Sequence, residues 1–304
     1  NDGNISGIPS GFTELDKITS GWQKSDLVII AARPAMGKTA FVLSMAKNMA
    51  IDYGYPVAIF SLEMSNLELV NRLVINASEI EGEKIKTGRL TPHEWQDLYA
   101  KTDCLNSAPI FIDDTANISV SELTTKARRL KSEHDIQCII IDYLQLMNAS
   151  GMSYGSREQE VSIISRSLKG LAKELDIPVI ALSQLNRGVE SREEKRPQLS
   201  DLRESGAIEQ DADMVVFIHR PEYYKIMQDQ EGNSNEGVAE IIIAKHRSGA
   251  VGDVRLQFTK ELIKFSNLTE RRYGNYQADT SSYQEFGNKY NEPMPIQPSS
   301  VDPF

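Results

Sequence analysis

The chain has 304 residues, 40% of them hydrophobic and 25% charged, with a formal net charge of −10. That is room for one large domain or two small ones, with an ordinary globular composition. The acidic balance argues against a protein that coats nucleic acid by overall charge, though not against a local basic surface, and no apolar run reaches the roughly 18 residues of a membrane span.

The start, Asn1-Asp2-Gly3-Asn4, is polar and lacks an initiating Met, so the chain is expected to be cut from something longer. Residues 7–26 read as a preamble in which Gly and Pro punctuate a short helix from Thr13 to about Thr19. Short apolar runs then recur at Leu27–Ala31, Val57–Ser61, Ile110–Ile112, Cys138–Ile141, Val179–Leu182 and Val215–Ile218. Helical patterns separate most of them. Val161, Ile164, Leu168, Leu171 and Leu175 share one helical face, and Pro178 stops that helix. Unalternating strands interleaved with helices predict an α/β fold, a parallel sheet covered on both faces. Glu240–Lys245, Val254–Phe258 and Glu261–Phe265 lie close together with Gly-rich turns between them and predict an antiparallel hairpin at the sheet edge. Residues 269–304 are polar, rich in Ser, Asn, Gln and Pro, and are expected to form a flexible tail.

Two cysteines, Cys104 and Cys138, make no disulfide framework and point to a reducing, cytoplasmic compartment. Cys138 opens an apolar run and reads as a small buried hydrophobe. His93, His134, His219 and His246 have no metal-ligand spacing.

The stretch Ala32-Arg33-Pro34-Ala35-Met36-Gly37-Lys38-Thr39-Ala40 follows the first apolar run directly. A strand feeding a tight loop and then Gly-Lys-Thr at a helix start is the phosphate-loop pattern. Backbone N–H groups cradle phosphates, the Lys meets the β/γ-phosphates, and the Thr hydroxyl meets Mg²⁺. Ala32 stands where the strict pattern has Gly. The alternative is a chance Gly-Lys-Thr at a helix start.

Asp142, Glu63 and Gln184 each end a buried run, where open parallel sheets bind ligands. A nucleotide-bound Mg²⁺ needs a carboxylate, for which Asp142 is the candidate; the alternative is a strand-terminating Asp. Glu63 is the candidate base or water-orienting group, against a capping or solvated glutamate. Gln184 could hydrogen-bond the γ-phosphate or its water. Lys245 and Arg247, two apart on extended backbone, point to one side and suit a triphosphate; a solvated edge strand explains them equally well. Arg203 and the backbone near Gly206, in the polar stretch Asp201–Asp213, could bind a phosphate backbone, though an ordinary loop and helix start is the simpler account.

Together these stretches resemble the C-terminal motor domain of the bacterial DnaB family of replicative DNA helicases, which has a RecA-like ATPase core. The segments that carry the resemblance are Ile8–Asp16, Ala31–Thr39, Phe60–Ser65, Ile140–Leu146, Leu182–Arg187, Asp201–Asp213 and Lys245–Arg247, in the family's order, over residues 5 to about 268. Ala at position 32 is itself usual in the family.

The resemblance implies residues 1–26 as linker remnant and preamble, 27–268 as the motor domain and 269–304 as a tail without an assigned role. It implies ATP held by residues 33–40, Mg²⁺ at Thr39 and Asp142, and water activation by Glu63. Gln184 would couple nucleotide state to DNA-facing loops, and Lys245 and Arg247 would reach the ATP of a neighbouring subunit. Arg203, Glu204 and Gly206 would contact single-stranded DNA, and Gly151–Glu160 would form another mobile, inward-facing loop. The implied assembly is a ring of six that unwinds duplex DNA, with primase and a helicase loader as partners of the full-length protein and no membrane. The family's N-terminal helical domain, which supports the ring and binds primase, is expected to be missing from this sequence. The rival expectations are a recombinase-like filament ATPase and a nucleotide-gated DNA-binding protein without translocation; a fragment of a primase–helicase fusion is a further one.

Overall fold

In the computed structural model the described residues are 5–149, 156–192 and 194–268, without the side chains of 203–207. The apolar runs become the parallel strands β1 (Leu27–Ala32), β2 (Val57–Ser61), β3 (Ile110–Asp113), β4 (Cys138–Asp142), β5 (Val179–Gln184) and β6 (Met214–His219). Three antiparallel strands follow: β7 (Val238–His246), β8 (Gly252–Thr259) and β9 (Lys264–Asn267). The sheet order is β3-β2-β4-β5-β1-β6-β7-β8-β9, so the phosphate-loop strand lies at the centre. The expected α/β class, with a mostly parallel sheet and an antiparallel edge, is the one observed. The edge differs in detail. Lys260–Leu262 is a 3₁₀ turn, Ile263 takes a left-handed conformation (φ 50°), and only then does β9 begin, so the hairpin is a three-stranded meander.

The helices are α1 (Thr13–Thr19), α2 (Lys38–Lys47), α3 (Asn66–Ser78), α4 (Gly82–Thr87), α5 (Pro92–Asn106), α6 (Val120–His134), α7 (Arg157–Leu175) and α8 (Gly206–Asp211). Ser65 and Thr91 open α3 and α5 with reciprocal capping boxes to Glu68 and Glu94. Alternation along the strands sends side chains into two cores. Val28, Ile30 and Ala32 face the core that holds α2, while Leu27, Ile29 and Ala31 face the one that holds α7. Ile8, Phe12, Leu15 and Trp22, from the stretch read as preamble, are buried in the first of these cores, with Phe12 stacked on Phe41. Ser156 caps α7, so Arg157–Glu160 of the tract expected to be a mobile loop form its first turn. Residues 151–155 of that tract, and the tail at 269–304, lie outside the described residues.

Candidate nucleotide site

The loop after β1 carries the conformations that a phosphate cradle needs. Gly37 is left-handed (φ 93°), and a Cβ there would come within 3.1 Å of the Phe265 ring. Ala35 is also left-handed (φ 65°). Ala32 pairs with Gln184 as the last residue of β1, in ordinary extended backbone, which is why its methyl costs nothing where the pattern has Gly. The first amides of α2 have no intrahelical acceptor and form the positive end of the helix. Met36 and Ala40 turn their side chains into the core, and Pro34 and Ala35 are exposed.

Lys38, Thr39 and Asp142 converge. Thr39 Oγ1 donates to Asp142 Oδ2 at 2.7 Å, and Lys38 Nζ donates to the Ser183 carbonyl at 3.3 Å. Lys38 also lies over the Tyr143 ring, 5.2 Å from its centroid. Burial lowers the Lys38 ammonium pKa, against the opposing charges of Asp142 and Glu63. Burial raises the Asp142 carboxyl, while the Thr39 hydrogen bond and Lys38 pull it down. Asp142 is 2% exposed, and its Oδ1 has no hydrogen-bond partner among the described residues. A buried carboxylate oxygen without a partner, beside a Thr hydroxyl, is the hard-oxygen donor set that Mg²⁺ takes.

Glu63 follows β2 and is exposed; its charge acts on both Lys38 and Asp142. The Ser61↔Asp142 register and the Leu62 N–H bond to the Asp142 carbonyl (2.6 Å) hold it beside them. Gln184 ends β5 with its side chain exposed and lines a cavity of about 390 Å³ together with Arg33, Tyr143, Gln145 and Arg187.

Some expected site residues lie elsewhere. The Arg33 guanidinium is 7% exposed and committed to Glu190 Oε1 (2.9 Å) and the Leu185 carbonyl (2.8 Å), which leaves only its backbone for a phosphate. Lys245 and Arg247 are far from Lys38 within this chain. The strand β7 runs antiparallel to β6, so Lys245 pairs with Val215, next to the start of β1, at the opposite end of the sheet. There Lys245 Nζ donates to the carbonyls of Glu209 (2.5 Å) and Ala212 (2.8 Å), and Arg247 donates to that of Gln210. Both cations cap the negative end of α8. Arg203, Glu204 and Gly206 are placed in a 3₁₀ segment, Leu199–Ser205, and at the start of α8, but their side chains lie outside the described residues.

Sequence reasoning missed Glu190, the partner of Arg33, and gave Gln145 no role. Gln145 stands three residues after Asp142, a position that could have drawn attention once Asp142 was placed at a strand end.

The chain matches the family model described as DnaB-like helicase C terminal domain over residues 7–267. It is 56% identical over 272 residues to the replicative DNA helicase DnaB of Geobacillus stearothermophilus, covering 90% of this chain and 59% of that protein. It is 54% identical over 271 residues to the replicative DNA helicase DnaC of Bacillus subtilis, covering 89% and 58%. The chain therefore spans under two thirds of the length of these relatives. A solved DnaB-like replicative helicase, described in its interactions with primase, superposes with a TM-score of 0.82 at 46% identity, over 88% of this chain and 63% of that one. A solved ATPase domain superposes equally well, over 93% of its own length.

Proposed function

Because the chain belongs to the DnaB-like helicase C-terminal domain family, we propose that it is the ATP-hydrolysing motor portion of a replicative DNA helicase. The observation that carries this reading is the meeting of Thr39 Oγ1 with Asp142 Oδ2 beside Lys38, at the mouth of a glycine-turned loop. The loop amides and Lys38 would bind the β/γ-phosphates of ATP, and Asp142 and Thr39 would hold Mg²⁺, which, once bound, offsets phosphate charge. Glu63, exposed and close enough to act on Lys38 electrostatically, would orient the attacking water and accept its proton.

Arg247 and Lys245 are at the wrong end of the sheet for their own chain's phosphate loop. A neighbouring copy would therefore supply them, as in a ring of six whose sites lie between subunits. Arg203, Glu204 and Gly206 would grip single-stranded DNA through its phosphates, which carry little sequence information and suit a motor that moves over any sequence. Primase and a loader would be partners of the longer protein, and the cytoplasm its compartment. Residues 27–268 would be the motor body and 269–304 an appended tail.

The deciding experiment is ATP turnover against protein concentration, with and without single-stranded DNA. Specific activity that climbs with concentration and climbs further with DNA supports a site completed by a neighbour and coupled to DNA. A flat, DNA-independent rate contradicts it.

A further inference from the structure

The C-terminal end of β5 is held by a side chain that no strand pairing accounts for. Gln145 lies in a 3₁₀ turn, Leu144–Leu146, directly after β4 and Asp142. Its Nε2 donates to Ser183 Oγ at 2.8 Å and to the Gln184 carbonyl at 3.3 Å. Its Oε1 accepts from the Gln184 N–H at 3.3 Å. One side-chain amide thus uses both its donor and its acceptor ends on Ser183 and Gln184. The described β4–β5 pairing stops at Ile141↔Ala181, so the amide carries the connection on to the strand's last two residues. From outside, Arg157 donates to the carbonyls of Gln145 and Met147 and fixes the turn. On the other side, the Ser183 carbonyl is the acceptor of Lys38 Nζ.

We propose that Gln145 is a positioning residue, which sets the end of β5 so that Gln184 stands at the phosphate loop. This rests on the phosphate-site reading above. Gln145 itself touches no phosphate. It acts by holding the Gln184 backbone N–H and carbonyl, and so the point from which the Gln184 side chain reaches the γ-phosphate or the attacking water. The clamp runs between the strand that carries the metal carboxylate and the strand that carries Gln184, so a shift at either end is passed to the other through three hydrogen bonds. Local sequence does not reveal it, since Gln145 and Gln184 are 39 residues apart.

The test is steady-state ATP hydrolysis, with single-stranded DNA, by the chain itself and by Lys38→Ala, Gln145→Ala, Gln145→Glu, Gln184→Ala and the Gln145→Ala/Gln184→Ala double variant. The Gln145→Glu variant keeps the size and the acceptor but loses both donated bonds, and thermal melting checks that each variant folds. Loss of such bonds predicts kcat down about tenfold in both Gln145 variants. A KM for ATP within about twofold of the parent would separate positioning from binding. In the Gln184→Ala background there is no side chain left to aim, so adding Gln145→Ala lowers kcat by less than about twofold, the non-additivity of groups that act as a unit. Unchanged kcat in both single Gln145 variants overturns the proposal, as does a double variant whose losses multiply, since that marks an independent structural role. Turnover by the parent chain that is absent, or that survives Lys38→Ala, removes the phosphate-site reading itself and the proposal with it.

Discussion

Thr39 and Asp142, 103 residues apart in sequence, are joined by a 2.7 Å hydrogen bond that ties the phosphate-loop helix to β4. The acceptor carboxylate is nearly fully buried, and its second oxygen has no partner among the described residues. Burial therefore raises its pKa, and ionised Asp142 is a cost to the empty fold. A carboxyl with a raised folded pKa lets the native state bind more protons than the unfolded chain. Stability on its account falls as pH rises from the ordinary carboxylate range towards the raised value, and the cost persists at neutral pH. Asp142→Asn keeps an acceptor for Thr39 and removes the charge. It is expected to abolish Mg²⁺-dependent ATP turnover while raising the melting temperature of the nucleotide-free protein. Relief of about 1 kcal/mol moves Tm by about 2–4 °C in a domain of this size. Calorimetry beside an ATPase assay reads both; a lower Tm would contradict the account of Asp142.

On the proposed reading Lys38 and Glu63 would act on the same phosphates by different physics, and their variants should separate. Lys38→Ala removes a preorganised cation from a partly desolvated site, where one such donor is worth about 10²–10³ in turnover, and weakens nucleotide binding as well. Glu63→Gln leaves the cradle whole and removes the proposed base, so turnover is expected to fall about 10²–10⁴-fold with ATP affinity retained. Fluorescent-nucleotide titration beside steady-state hydrolysis distinguishes them. Equal loss of binding in both variants would contradict the division of roles.

The parallel sheet was legible because each of its strands is an apolar run between turn signals, and burial on both faces removes any alternation that could confuse strand with helix. The phosphate loop was legible because its chemistry is local: Gly37, Lys38 and Thr39 are adjacent. The antiparallel edge was less clear, since the reversal at Ile263 depends on a left-handed residue that no Gly announces. The helix α5 fully buries none of its residues, with Leu98 and Leu105 only half-buried, and so carries a weak apolar stripe. The commitment of Arg33 to Glu190 and the clamp by Gln145 were invisible for a further reason. Their partners are 157 and 39 residues away, and a side-chain hydrogen bond leaves no periodic trace. Lys245 and Arg247 could be assigned to a strand end from sequence, but which end of the sheet that is depends on strand direction, which only the pairing of β6 with β7 decides.

His219, at the end of β6, is 4% exposed and stacks on Tyr224. Burial, with a smaller effect of Arg196, pushes its pKa down to about 4. An unfolded histidine titrates at about 6.5, so the unfolded state takes up its proton first as pH falls. The stability it contributes is complete above about 6.5 and is lost progressively down to about 4, on the order of 3 kcal/mol in all. Urea midpoints measured from pH 7 to 4 are expected to fall more steeply for the parent chain than for His219→Phe. Parallel slopes would mean that His219 is not the group that titrates.

The placement of Arg247 yields a mixing experiment. In a single chain its guanidinium is bonded to the Gln210 carbonyl and lies 3.6 Å from Asp213, at the opposite end of the sheet from Lys38. To act on ATP it must serve a neighbour, and leaving α8 exchanges a helix end of about half a charge for a polyphosphate, which is the stronger attractor. Arg247→Ala and Lys38→Ala would then each be inactive alone, for complementary reasons: one chain keeps a whole phosphate loop, the other a whole cation. Mixed in equal amounts, at concentrations where the parent is active, they would form interfaces that unite Lys38 of one chain with Arg247 of the next. Random mixing of two such chains leaves about a quarter of interfaces complete, so turnover should return to the order of a quarter of the parent's if sites fire independently, and to less if firing must pass around the ring. No recovery at any mixing ratio would contradict donation by a neighbour, and full turnover by Arg247→Ala alone would leave Arg247 as a cap of α8.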